Sequence, residues 1–164
     1  MTAPEQKCVE VYVQPGESHL IHGPAVLRTV LGSCVGVTFW HEFMEVGALC
    51  HPMLPSHRAA PNGKMSLAAA RRYVDFAIRD LASQFDCLGA QRPDIRVKLF
   101  GGADVLHVQE PGARPSVGRL NREMALEVLR TEGFDVAASQ LGGPVGFHID
   151  FYTATGEVLL RRLR

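Results

Sequence analysis

Two apolar runs with only four residues between them constrain this chain more than any other feature. Cys34–Trp40 reads CVGVTFW, Glu45–Cys50 reads EVGALC, and the link is His41–Met44. Both runs have strand length. Parallel strands need a crossover of a dozen residues or more, so a link this short predicts an antiparallel hairpin. Pairing Trp40 with Glu45 and counting back along both runs sets Cys34 opposite His51. Directly opposed residues have Cβ atoms about 5 Å apart, close enough for an imidazole to reach a thiol.

The other elements follow from periodicity. Cys8–Gln14 alternates as a strand does, and Ala25–Val30 is a second candidate strand. Ser66–Phe85 carries Leu67, Ala70, Val74, Ala77, Ile78, Leu81 and Phe85 on one helical stripe. Ile95–Phe100 is a strand stopped by Gly101 and Gly102. Ser116 is the expected N-cap of a second helix to about Glu132, with Val117, Leu120, Met124 and Val128 inward and Gly133 as C-cap. Phe134–Ser139, Gly146–Tyr152 and Val158–Leu163 are strands, the last two joined by a turn at Thr153–Gly156. Ser56–Lys64 reads as a polar loop, and His19 and His22 read as loop residues. Strands first, then helix, strand, helix and three strands make a mixed α/β (α+β) sandwich rather than a βαβ repeat. With 164 residues and no linker or repeat, residues 1–164 are expected to form one domain.

Charge excludes some function classes. Seventeen Lys and Arg balance seventeen Asp and Glu, which offers no electrostatic attraction to nucleic acid or to a membrane surface. Arg161, Arg162 and Arg164 are expected to form a solvated tail. The start, Met1–Lys7, is polar, and no run approaches the roughly 18 apolar residues of a membrane span. A cytoplasmic location is expected, with Cys8, Cys34, Cys50 and Cys87 as free thiols.

The chemistry points to Cys34. In LGSC (Leu31–Cys34), Gly32 and Ser33 are turn residues just before an apolar strand. Backbone N–H groups in such a turn can face a developing oxyanion. Most free cysteines are small buried hydrophobes, and the motif alone does not decide. A facing His51 adds the missing partner: a thiolate–imidazolium pair is expected, with the thiolate as nucleophile. Cys50 projects to the other face and reads as core, and Cys8 and Cys87 read as structural. Zinc ligation by Cys34, Cys50 and His51 lacks the short paired spacings of structural sites. KLFGGAD (Lys98–Asp104) is not a phosphate loop, and its glycines allow close backbone approach or positive φ.

Taken together, LGSCVGV (Leu31–Val37), CHPMLP (Cys50–Pro55), LFGGA (Leu99–Ala103), VGRLN (Val117–Asn121), LGG (Leu141–Gly143) and TGEVLLRRL (Thr155–Leu163) resemble the chemoreceptor glutamine deamidase family, CheD. The resemblance implies a three-layer sandwich of mixed sheets with two main helices, similar to cysteine-hydrolase toxins that deamidate glutamines. It implies a cofactor-free and metal-independent amidohydrolase. Such an enzyme converts glutamines of methyl-accepting chemotaxis receptors to glutamates. Cys34 matches the family's nucleophile and His51 its histidine. The third active-site residue matches Thr29, with Arg28 the alternative in register. Gly32 and Ser33 support the oxyanion. Members can also bind a CheC-type phosphatase, so a non-catalytic adaptor is the competing reading. Two segments depart from the family's pattern: GFHI (Gly146–Ile149), where a basic residue is usual, and the hairpin tip His41-Glu42, where Asp-Pro is common.

Overall fold

The computed structural model describes residues 8–59, 64–105 and 111–164. The polar start Met1–Lys7 and part of the expected Ser56–Lys64 loop lie outside the described residues.

Among the described residues, nine strands form two sheets. β1 (Val9–Tyr12), β3 (Ala25–Leu31), β8 (Phe147–Tyr152) and β9 (Glu157–Arg162) make one, in the order β1-β3-β8-β9. The other has the order β2-β5-β4-β6-β7. Its strands are β2 (Ser18–His22), β4 (Val35–His41), β5 (Val46–Cys50), β6 (Ile95–Gly101) and β7 (Val136–Leu141). β1 runs parallel to β3 and β7 parallel to β6, and the remaining pairs are antiparallel, so both sheets are mixed. The helices α1 (Leu67–Ala70), α2 (Val74–Cys87) and α3 (Val117–Thr131) complete the chain.

Alternation along the central strands builds two cores. Val35, Val37, Phe39, Ala48 and Cys50 face α2 and α3 and pack on Ile78, Leu81, Phe85, Ala125 and Leu129. Trp40 and Leu49 face the four-stranded sheet and meet Leu27, Leu31, Ile149 and Phe151. The layers are therefore helices, five-stranded sheet and four-stranded sheet, the expected three-layer α+β sandwich. No helix among the described residues is long and apolar enough to cross a membrane.

The structure departs from the expectations drawn from the sequence in five places, the last but one being the solvated tail expected at Arg161 and Arg162. The hairpin forms, but its tip is Glu42–Glu45, not His41–Met44. His41 pairs with Val46 and Trp40 with Gly47, a shift of two residues from the expected register. The tip explains the shift: His41 Nδ1 accepts from Met44 N–H at 3.2 Å, Glu45 N–H donates to Glu42 O, and Glu45 sits at φ 53°. His19 and His22 lie on β2, an edge strand along β5, and not in a loop. The expected Ser66–Phe85 helix is broken at Arg71–Tyr73. There the Arg72 carbonyl takes the N–H groups of Met53 and Leu54, and Val74 N–H donates to Leu54 O. The helix thus gives up a turn to hold the segment after His51. Arg161 and Arg162 belong to β9, and Arg161 contacts His148 and Asp150.

The fifth departure is the face of α3. Ser116 caps the helix by accepting from Arg119 N–H at 3.0 Å, and Gly133 follows it at φ 82°. The buried residues are Gly118, Asn121, Ala125, Val128 and Leu129, while Val117 and Leu120 are exposed. The cause is Gly118, which packs directly on the Ala103 carbonyl. A Cβ at that position would collide with the backbone. Close approach of helix to backbone turns the inward face by about one residue from the apolar stripe.

Candidate active site

The turn before β4 is held from behind at three consecutive carbonyls. Gly32 O accepts from Ala103 N–H at 2.9 Å, Ser33 O from Asn121 Nδ2 at 2.9 Å, and Cys34 O from Gly102 N–H at 2.8 Å. In a planar trans peptide the carbonyl of one residue and the N–H of the next point in opposite directions. Drawing the Gly32 and Ser33 carbonyls inward therefore turns the Ser33 and Cys34 N–H groups the other way. Neither N–H donates to another residue among those described, and the Cys34 N–H faces only its own sulfur. They are available donors for an anionic oxygen. The double glycine makes the clamp possible. Gly101 takes φ +97° and lies so close to Cys34 O that a Cβ there would clash with it. The expected close approach at Gly101 and Gly102 is thus to the nucleophile turn itself.

Cys34 is half-buried at the mouth of β4 and packs against the core between the sheets. His51 is 1% exposed, just past the end of β5. Its backbone is tied to the turn before β2: Gly16 N–H donates to His51 O at 2.7 Å, and His51 N–H to Glu17 O at 2.9 Å. The register continues beyond the strand ends, where Val35 N–H donates to Pro52 O at 3.3 Å. That alignment sets Cys34 diagonally, not directly, across from His51. Diagonal neighbours lie about 7–8 Å apart, still within reach for long side chains. The two-residue shift keeps both side chains on the face toward the other sheet.

Thr29 comes from that other sheet, on β3, and is fully buried. Its hydroxyl lies 2.7 Å from Val13 O and 2.7 Å from His51 Nδ1. A carbonyl cannot donate, so the single hydroxyl proton goes to Val13 O. The second bond then runs from His51 Nδ1–H to Thr29 Oγ1. This assignment leaves His51 Nε2 as the ring's unprotonated nitrogen. Arg28, the alternative in register, points to the opposite face of the sheet, where it pairs with Glu10 and Asp150.

Burial pushes the Cys34 thiol up, and its own backbone N–H pulls it partly back. Burial also lowers His51 to about 4, against a smaller opposing pull from the Val13 carbonyl. Both directions favour the neutral forms. Desolvation, which spacing does not report, therefore works against the thiolate–imidazolium pair expected there. Cys50 is fully buried and faces the helices, with its thiol pushed up to about 12, as a core cysteine should be. Cys8 and Cys87 are exposed, so neither has the structural role read for it.

Sequence reasoning missed Asn121 as a contributor to this site. It lay in the VGRLN segment beside the apolar stripe, with no role read for it. A polar residue at helical spacing from Gly118 is the signal that could have found it.

The chain matches the family model described as CheD chemotactic sensory transduction over residues 53–162, beginning just past His51. Relatives align over nearly the whole chain. A probable chemoreceptor glutamine deamidase CheD 2 of Geobacter sulfurreducens is 43% identical over 163 residues, 99% of this chain and 96% of the relative. A probable chemoreceptor glutamine deamidase CheD of Nitratidesulfovibrio vulgaris is 38% identical, covering 94% of this chain and 77% of its own. One from Rhodospirillum rubrum is 39% identical, covering 93% and 82%.

Proposed function

We infer the role of the site from the membership that these matches establish: the chain belongs to the CheD family of chemoreceptor glutamine deamidases. It is a protein-glutamine glutaminase that deamidates glutamine side chains of chemotaxis receptors. In our reading Cys34 is the nucleophile and His51 its base. The observation that carries this is the Thr29 hydroxyl on His51 Nδ1, which supports a free Nε2 on the face shared with Cys34.

The Cys34 sulfur attacks the glutamine carboxamide carbon as His51 Nε2 takes the thiol proton. Because both groups rest neutral, transfer accompanies bond formation instead of preceding it. The Ser33 and Cys34 N–H groups hold the oxyanion. The imidazolium returns its proton to the amide nitrogen, the C–N bond breaks, and ammonia leaves a thioester. His51 then takes a proton from water as the oxygen attacks. The tetrahedral adduct collapses as His51 returns that proton to the leaving Cys34 sulfur, giving the thiol and a carboxylic acid that ionises to glutamate. The sum is glutamine plus water to glutamate plus ammonia, with no metal or cofactor in any step. The work is done in the cytoplasm, where receptor signalling domains lie, and a CheC-type phosphatase is a second partner consistent with the family.

Mass spectrometry of a receptor cytoplasmic fragment incubated with the protein tests the reading. A gain of about 1 Da at glutamines is expected, the mass by which a carboxylic acid exceeds its amide. An unmodified fragment would count against it. Thr29→Val, which keeps the shape but removes the oxygen, should lower kcat on the order of tenfold through loss of the ring's orientation. It should also cost about 1–3 kcal/mol of stability, because Val13 O and His51 Nδ1–H lose their partner. Unchanged kcat in Thr29→Val would show that the ring is held by other means.

A further inference from the structure

The ladder between the strands carrying Cys34 and His51 ends at the pair Val37 with Cys50. The one backbone bond between them there, among the described residues, is the long Val35 N–H to Pro52 O contact at 3.3 Å. Asn121 spans the same gap. It is fully buried in the first turns of α3, and its Nδ2 donates to Ser33 O at 2.9 Å and to Met53 O at 2.9 Å. Ser33 directly precedes Cys34, and Met53 lies two residues past His51. Both acceptors are carbonyls, so only the NH2 end of the amide satisfies them, and the orientation of the side chain is set by its partners. The other end, Oδ1, is buried without a hydrogen-bond partner among the described residues. Packing alone disfavours an unsatisfied buried acceptor, so an asparagine in this state points to a task other than stability.

We propose that Asn121 is a positioning residue of the deamidase. Its NH2 group ties the nucleophile turn to the histidine segment and so sets the separation of the Cys34 sulfur from the His51 ring. The inference rests on the reading of Cys34 and His51 given above. Gly118, one turn earlier, and Arg122, whose Nη1 donates to Gly102 O at 2.6 Å, seat the same helix on the back of the turn. The strut is therefore anchored at its helix end.

The test compares Asn121→Ala and Asn121→Asp with Cys34→Ala and His51→Gln, all in the full chain. Far-UV circular dichroism checks folding, and deamidation of a receptor fragment gives kcat and KM from pH 5 to 8. Asn121→Ala should lower kcat about 100-fold, the effect of a misplaced reacting group. KM should stay within about threefold, because substrate contacts are not touched. Asn121→Asp presents a carboxylate to two carbonyls and cannot donate. On protonation it regains one donor, so its kcat relative to wild type should rise as pH falls. A purely structural loss would give a ratio flat in pH. If Asn121→Ala fails to fold, the pH dependence of that ratio decides alone. Near-normal kcat in Asn121→Ala, or a flat ratio for Asn121→Asp, would overturn the proposal while Cys34→Ala stays inactive and His51→Gln strongly impaired. An active Cys34→Ala would instead overturn the Cys34 reading on which the proposal stands.

Discussion

A Cys34→Ala chain is expected to fold normally and to release no ammonia from receptor glutamines. The fold should survive because the Cys34 side chain is small and half-buried, and because the clamps on its turn are backbone carbonyls. Those bonds, to Ala103, Asn121 and Gly102, do not involve the thiol. Activity should vanish because the proposed route has no step without the sulfur. Cys34→Ser should also be inactive, since a hydroxyl is harder to deprotonate than a thiol and the His51 environment supplies only a weak base. Cys50→Ala is the control. Cys50 faces the helices, and its loss should cost about 1 kcal/mol through a small cavity, with activity kept. Circular dichroism and ammonia release distinguish the cases. Full activity in Cys34→Ala would end the covalent mechanism, and a folded but dead Cys50→Ala would mean that the wrong thiol was chosen.

His51→Gln should lower kcat roughly 1,000-fold, within the range for removal of a general base. The wild-type enzyme should also show an acid limb near pH 4, well below the ordinary histidine range, because His51 is held at about 4. The same shift acts on stability. The folded-state pKa is depressed from 6.5 to about 4, so between these values the unfolded chain binds more protons than the folded one. The contribution is fully present above pH 6.5 and is lost as pH falls toward 4. It amounts to about 3 kcal/mol. Urea unfolding at pH 7, 5 and 4 measures it as the difference in slope between wild type and His51→Gln. Parallel pH dependences for the two chains would show that His51 is not held neutral by burial.

Much of the site could be read from residue order because the relevant signals are local. A four-residue link forces a hairpin, and alternation assigns each side chain to a face. Ser116 and Gly133 mark the ends of α3 by the hydrogen bonds they make or free. Register is less local, since it depends on how the link turns. Glu45 at positive φ moved the tip by one residue and the pairing by two. A slip of one would have sent Cys34 and His51 to opposite faces, whereas a slip of two preserved the face and changed only the distance.

What only the tertiary structure decided involves partners distant in sequence. β2 has little apolar periodicity of its own and exists as an edge paired to β5. The helix break at Arg71–Tyr73 is made worthwhile by bonds to Met53 and Leu54. The inward face of α3 is set by the contact of Gly118 with the Ala103 carbonyl, which overrides the exposed apolar stripe of Val117 and Leu120. The protonation of the Cys34–His51 pair is likewise a property of the fold. Spacing brings the two groups to one face, but desolvation between two sheets raises the thiol and lowers the imidazole. The sequence by itself determined which side chains share a face. Burial and long-range hydrogen bonds, which close only when the three layers pack, decided how each is held and which way desolvation shifts it.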